Sequence, residues 1–152
     1  MNYPSGEPIR LGDRVWWDGG LAVGYIAEVL TSISDATSAG LSEPGVIIST
    51  TRDARGGTPR VAYSQRLLAD DGVGLVSDRE SREIDAVVMA VVKHGGIGGG
   101  GRLGVFREWC GGRLTRWLVV DYGADNRIVF YVTPSLQHIA IGEADAIKRI
   151  YL

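Results

Sequence analysis

The sequence predicts an α+β protein, mostly antiparallel β, in which two small, SH3-like or strongly bent β units are joined by one amphipathic helix. Three observations carry this expectation. Glycine supplies 22 of 152 residues, about twice the usual share, which demands many tight turns and few long helices. One segment, Ser77–His94, has apolar residues at helical spacing. Most other apolar residues fall in short runs between turn signals, as strands do.

The helix is the best-defined element. Ser77-Asp78-Arg79-Glu80 has capping-box spacing, so Ser77 and Glu80 can each satisfy a free backbone N–H. Ile84, Val87, Val88, Val91 and Val92 form one apolar stripe, Lys93 and His94 complement the dipole, and Gly95-Gly96 provides the stop. Valines are poor helix formers, so packing against a sheet is expected to stabilise it. The strand candidates before it are Ile9–Trp17, Val23–Leu30, Gly45–Thr50 and Val61–Tyr63. After it come Leu103–Trp109, Arg116–Tyr122, Arg127–Thr133 and His138–Ile141, while Ala146–Leu152 suits either a strand or a helical turn. Thr31–Pro44 and Thr51–Pro59 read as exposed loops, and Ile97–Gly101 as a hinge. The organisation that follows is an N-terminal β unit over 1–76, a linking helix over 77–96 and a C-terminal β unit over 97–152, with one compact domain as the alternative. Arg10-Leu11-Gly12, Trp17 and Gly19-Gly20 share their spacing with Arg102-Leu103-Gly104, Trp109 and Gly111-Gly112. Duplication of a small module and coincidence in a Gly-, Arg- and Leu-rich chain both explain this.

Sixteen basic and 18 acidic residues give a formal charge of −2, which argues against nucleic acid or an anionic membrane as the main partner. Cys110 is the single cysteine, so neither an intramolecular disulfide nor a cysteine-based zinc site is expected. Met1–Glu7 lacks a basic start and an apolar run, and the longest apolar stretch, Ala86–Val92, is short for a bilayer span. A reducing cytoplasm is the expected location.

Chemistry finds few footholds. Gly96–Gly101 satisfies G-x-G-x-x-G, with Asp121 downstream, but it follows a helix instead of a strand, so a hinge is the better reading. His94 and His138 show no spacing that suggests a metal or an acid–base pair, and Cys110 reads as a buried or turn thiol. Asp70-Asp71 reads as a solvated turn before Gly72. No catalytic residue, cofactor or metal is assigned, and binding is the expected mode of action. Trp16 and Trp17 are adjacent, so in a strand they point to opposite faces. One is expected in the core; the other either lies exposed as an interface anchor or packs under the Thr31–Pro44 loop or the helix, with Trp16 the inner and Trp17 the outer choice. Trp109 and Trp117 pose the same question in the second half.

Tyr3-Pro4-Ser5-Gly6, Leu11-Gly12-Asp13-Arg14-Val15, Gly24–Val29 and Gly45-Val46-Ile47-Ile48 together resemble the opening of small bacterial immunity proteins encoded beside polymorphic and type VI secretion toxins, including Rhs-type effectors. The resemblance covers roughly the first third of the chain. It implies a protein that binds and neutralises a cognate protein toxin inside the producing cell. Asp13, Asp18 and Glu28, near the tryptophans, would suit a basic partner. A β-barrel module binding RNA or another cellular protein is the alternative, and an enzyme comes third.

Overall fold

A computed structural model describes residues 1–53, 58–95, 102–123 and 128–142. Strand β1 (Arg14–Trp17) turns back into β2 (Ala22–Leu30) across Asp18, Gly19 and Gly20, all at positive φ. Two of these three are glycine because the left-handed region is open to it without steric cost. A short helix, α1 (Ile33–Ser38), leads to β3 (Gly45–Ser49) and β4 (Arg60–Ser64). A 3₁₀ turn (Gln65–Leu67) then brings the two-residue β5 (Gly74–Leu75) back against β1. Helix α2 (Asp78–Gly95) follows, and β6 (Leu103–Cys110), β7 (Arg113–Asp121), β8 (Ile128–Val132) and β9 (Ile139–Gly142) form a meander.

All nine strands described belong to one sheet and every pairing is antiparallel, so the protein is mostly antiparallel β with one long helix. Strand β2 is the seam. Tyr25 pairs with Arg14 on one edge and Ser49 on the other, and Ala22 pairs with both Trp17 and Phe106. The β4-β3-β2 end is thereby continuous with β6-β7-β8-β9.

The core follows from the alternation of strand residues. On one face, Ile84, Val87 and Val91 of α2 pack on Val105, Trp117, Val119 and Phe130, together with Trp16 and Val23. Each such aliphatic side chain, fully buried, contributes roughly 1.5–3 kcal/mol, which offsets the weak helix propensity of the valines. The capping box forms as the sequence predicts: the Ser77 N–H donates to Glu80 Oε1 and the Glu80 N–H to Ser77 Oγ, both at 3.1 Å. On the opposite face of β1 and β2, Val15 and Ile26 join Tyr3, Ile9, Val46, Ile48, Leu68 and Val73. A third cluster gathers Ala22, Phe106, Val120, Tyr122 and Val129.

Several expectations change. The strand expected over Ile9–Trp17 is confined to Arg14–Trp17, because Gly12, at φ +85°, closes a turn in which Asp13 N–H reaches the Arg10 carbonyl. Thr31–Pro44 contains α1, capped by Ser32 Oγ on the Asp35 N–H and anchored by the buried Ala36. Thr51 and Thr58, expected in an exposed loop, are buried; the Thr51 hydroxyl donates to the Asp53 carbonyl at 2.6 Å. Of the three glycine pairs matched by the internal repeat, one differs in conformation, with Gly12 in a turn and Gly104 inside β6, whereas Gly19-Gly20 and Gly111-Gly112 all lie in turns at positive φ. The Ile97–Gly101 hinge, the G-x-G-x-x-G string and Ala146–Leu152 lie outside the described residues. No helix among the described residues is long and apolar enough to cross a membrane.

Candidate partner-binding surface

The β6–β7 hairpin carries the exposed tryptophan of the molecule's described part. Gly111 and Gly112, at φ +61° and +77°, form the two-residue turn between Cys110 and Arg113, the positive-φ pair that matches the twist of antiparallel strands. Pairing shifts between Glu108 and Trp109, so that Thr115 is the extra residue on β7; its hydroxyl lies 3.0 Å from the Glu108 carbonyl oxygen. Strand β6 itself alternates regularly, which places Leu103, Val105, Arg107 and Trp109 on the face that α2 covers. Burial falls along it, from complete at Leu103–Phe106 to open at Trp109 and Cys110. Trp109 is 44% exposed.

Arg107 links this tip to the core. Its guanidinium carbon stands 3.6 Å from the Trp16 ring centroid and 5.2 Å from that of Trp109. Its Nε donates to the Gly20 carbonyl at 2.8 Å. Burial lowers the Arg107 pKa, while the carboxylates of Glu80 and Glu83 act in the opposite sense. Trp16, 7% exposed, donates its indole N–H to Glu80 Oε2 at 3.0 Å. The result is a ladder from the helix cap through Trp16 and Arg107 to Trp109. Guanidinium–indole contacts of this kind contribute about 0.5–2 kcal/mol, more where they are desolvated, so Arg107 favours the ring orientation that faces it.

The residues expected at an interface divide sharply. Trp16 is core, as chosen. Trp17 is not exposed: it is half-buried against the second and third clusters, its ring lying where a side chain on Gly24 would clash. The reason is that β1 is covered on both faces, not one. Asp13 is an internal acceptor, for the Tyr3 hydroxyl at 2.7 Å and the Arg10 N–H at 2.8 Å. Asp18 sits in the first hairpin turn at φ 52°, its N–H bonded to Asp71 Oδ2. Asp71, read as solvated, also accepts from the Tyr63 hydroxyl. Glu28 is exposed and lies 3.5 Å from Arg60. The structure therefore brings Trp16 and Trp109 together and leaves Asp13, Asp18, Trp17 and Glu28 elsewhere.

Arg107 and Glu80 were missed as members of this surface. The signal for Arg107 was its i,i+2 relation to Trp109, which shares a face in any strand. His94 lies in the last turn of α2, His138 follows β8 and Cys110 ends β6, each exposed. No family model, curated protein or solved structure matches the chain.

Proposed function

We propose that this protein acts by stoichiometric binding, as an immunity protein that neutralises a cognate protein toxin inside the producing cell by covering its active surface. The observation that carries the reading is Trp109: a large aromatic left 44% exposed on a hairpin tip, yet oriented by Arg107 stacked between it and Trp16. Tryptophan and arginine are the residue types that most often anchor protein interfaces, and a side chain already held in place loses little freedom on binding. The resemblance of the first third to immunity proteins supplies the partner class. On this reading His94, His138 and Cys110 have no chemical task, and replacing all three leaves protection intact in a folded protein.

Trp109→Ala is the direct test. Calorimetric titration against the product of the adjacent gene should show binding weakened by about 2 kcal/mol or more, some thirtyfold. Unchanged affinity in a folded variant removes the anchor. Loss of protection with intact binding in the His94/His138/Cys110 variant would replace occlusion by chemistry.

A second reading has one observation in its favour. The strand order β5-β1-β2-β3-β4, with a 3₁₀ turn before β5, supports an SH3-like module that binds RNA or another cellular protein. Such a module, if it takes RNA, binds mixed RNA with an affinity that falls steeply with salt as counterions are released. A flat salt response, or no binding, discards the RNA form.

A further inference from the structure

The turn that leads into β1 presents a leucine that the core does not use. Leu11 is 70% exposed at the corner formed by Arg10–Asp13, and that corner is fastened on every side. Asp13 N–H donates to the Arg10 carbonyl at 3.2 Å, and the Asp13 carboxylate accepts from Arg10 N–H at 2.8 Å and from the Tyr3 hydroxyl at 2.7 Å. Gly12 N–H reaches the Ile26 carbonyl at 2.8 Å, and Ile26 N–H returns to the Asp13 carbonyl at 2.9 Å. An apolar side chain on a corner already ordered in this way meets a partner at small entropic cost.

Leu11 also lines an open groove of about 530 Å³. Val29 and Ile47, half-buried, and Ala39 beyond the end of α1 give it apolar walls, and Glu28 and Asp35 bring two exposed carboxylates to it. The cation near Glu28 is Arg60, at 3.5 Å and with both side chains about half exposed, a pairing of small worth that a competing cation can replace. The groove thus offers apolar contact beside negative charge, on the N-terminal strands and α1, with no residue of the Trp109 hairpin among those that line it.

We propose that this groove docks a short segment of a protein partner that carries an apolar side chain next to a lysine or arginine. Leu11, Val29 and Ile47 receive the apolar side chain, and Glu28 and Asp35 receive the cation. The inference stands on this geometry alone and does not rest on the toxin reading or on Trp109.

The test uses the full chain, isotope-labelled, titrated with two peptides of about ten residues, one alternating leucine and arginine, the other leucine and glutamate. The arginine peptide should shift the amide signals of Leu11, Val29, Ala39 and Ile47, and the glutamate peptide should not. Affinity should fall about fivefold or more in Leu11→Ser and in Glu28→Lys, since each removes one half of the complementarity. Both positions are exposed, and unchanged melting temperatures show that the variants fold. Trp109→Ala should bind the peptide as the parent does, so failure of the hairpin anchor and failure of the groove are read separately. The proposal is overturned by absent binding, by shifts confined to other residues, by equal affinity for the glutamate peptide, or by an unaffected Leu11→Ser. It is also overturned if the same amides shift with protein concentration alone, because a second copy would then be the occupant.

Discussion

Strands β1–β5 and strands β6–β9 bury their sheet faces by different means. The C-terminal meander lays one face under α2, whose Ile84, Val87 and Val91 cover Val105, Trp117, Val119 and Phe130. The N-terminal strands give Trp16 and Val23 to that cluster, and among the described residues no second long helix covers their other face. They use the start of the chain, through Tyr3 and Ile9, and the segment before α2, through Leu68 and Val73. That cover is assembled from short pieces, and carboxylates fasten it: Asp13 holds Tyr3, and Asp71 holds Tyr63 and the Asp18 N–H. The same residue type consequently has opposite fates. Trp16 and Trp17 are both taken up by packing because β1 is covered on both faces, whereas Trp109 lies where cover runs out. Exposure of a tryptophan in this molecule is decided by how far the covering elements extend, not by the strand pattern around it.

The largest expected effect tests that contrast directly. Trp16→Ala removes a buried ring, the Glu80 hydrogen bond and the Arg107 stack, and should cost about 3–5 kcal/mol. Trp109→Ala should cost no more than about 1 kcal/mol in urea unfolding, the scale of an exposed cation–π contact, with Trp17→Ala between them. Equal losses at Trp16 and Trp109 would abolish the distinction between the two ends.

A glycine pair gives the next step down. A Cβ on Gly45 would stand 2.0 Å from the Tyr63 backbone oxygen, whereas on Gly142 the contact at 2.0 Å is with the Tyr131 ring. Backbone paired in the β3–β4 ladder cannot swing aside, and a half-buried ring can. Gly45→Ala should therefore cost about 1–3 kcal/mol or more, and Gly142→Ala less. The reverse order in thermal melts would mean that the β3–β4 register is looser than its pairing implies.

How much of this was legible in the sequence follows from the range of each signal. The α2 cap, stripe and stop are local, so Ser77, Glu80 and the valines announced them, and the same holds for the strands that glycine turns bracket. Ser32–Ser38 was read as loop because Ser, Thr and Asp favour turns over helices. One cap and one buried alanine reversed that preference, and burial is not written in the segment. β5 is two residues long, too short for any periodicity. The candidate surface was half legible. Trp109 was visible, but the removal of Asp13, Asp18 and Trp17 from it depended on partners at Tyr3, Asp71 and Gly24, a matter of tertiary contact. Gly12 was read as part of a strand because Ile9, Leu11 and Val15 alternate across it.

The third effect belongs to the N-terminal half alone. Burial, and then the neighbouring Asp13 and Asp71 carboxylates, raise the Tyr3 and Tyr63 hydroxyls far above the ordinary tyrosine value of 10.0. A raised folded-state pKa means that the contribution is fully present below pH 10.0 and is lost as the pH rises toward the folded values. Tyr3→Phe and Tyr63→Phe should each cost about 1–2 kcal/mol near neutrality, since each hydroxyl serves a carboxylate. The double variant should show a shallower loss of stability on the alkaline side. An alkaline limb as steep as the parent's would assign that loss to other groups.

The smallest effect lies at the junction of the two halves, on Glu80. Its carboxylate accepts from the Ser77 N–H and from the Trp16 indole, one oxygen for each. Burial opposes ionisation there, but the Ser77 hydrogen bonds, the Trp16 hydrogen bond and the Arg107 charge outweigh it, so the Glu80 pKa is lowered. Glu80→Gln keeps a side-chain oxygen for only one of these two donors, and it removes the charge that favours the α2 N-terminus and faces Arg107. The expected loss at neutral pH is about 0.5–1 kcal/mol. The pH dependence identifies its source. A depressed carboxylate pKa gives stability that is present above the unfolded carboxylate value and is lost as the pH falls through the folded one. The difference between parent and Glu80→Gln should accordingly narrow on acidification through the carboxylate range and stay constant from there to neutrality. Added salt should narrow it as well, because part of the term is an exposed charge interaction. A difference that ignores both pH and salt would make Glu80 a packing residue, and the ladder from the helix cap to Trp109 would then begin at Trp16.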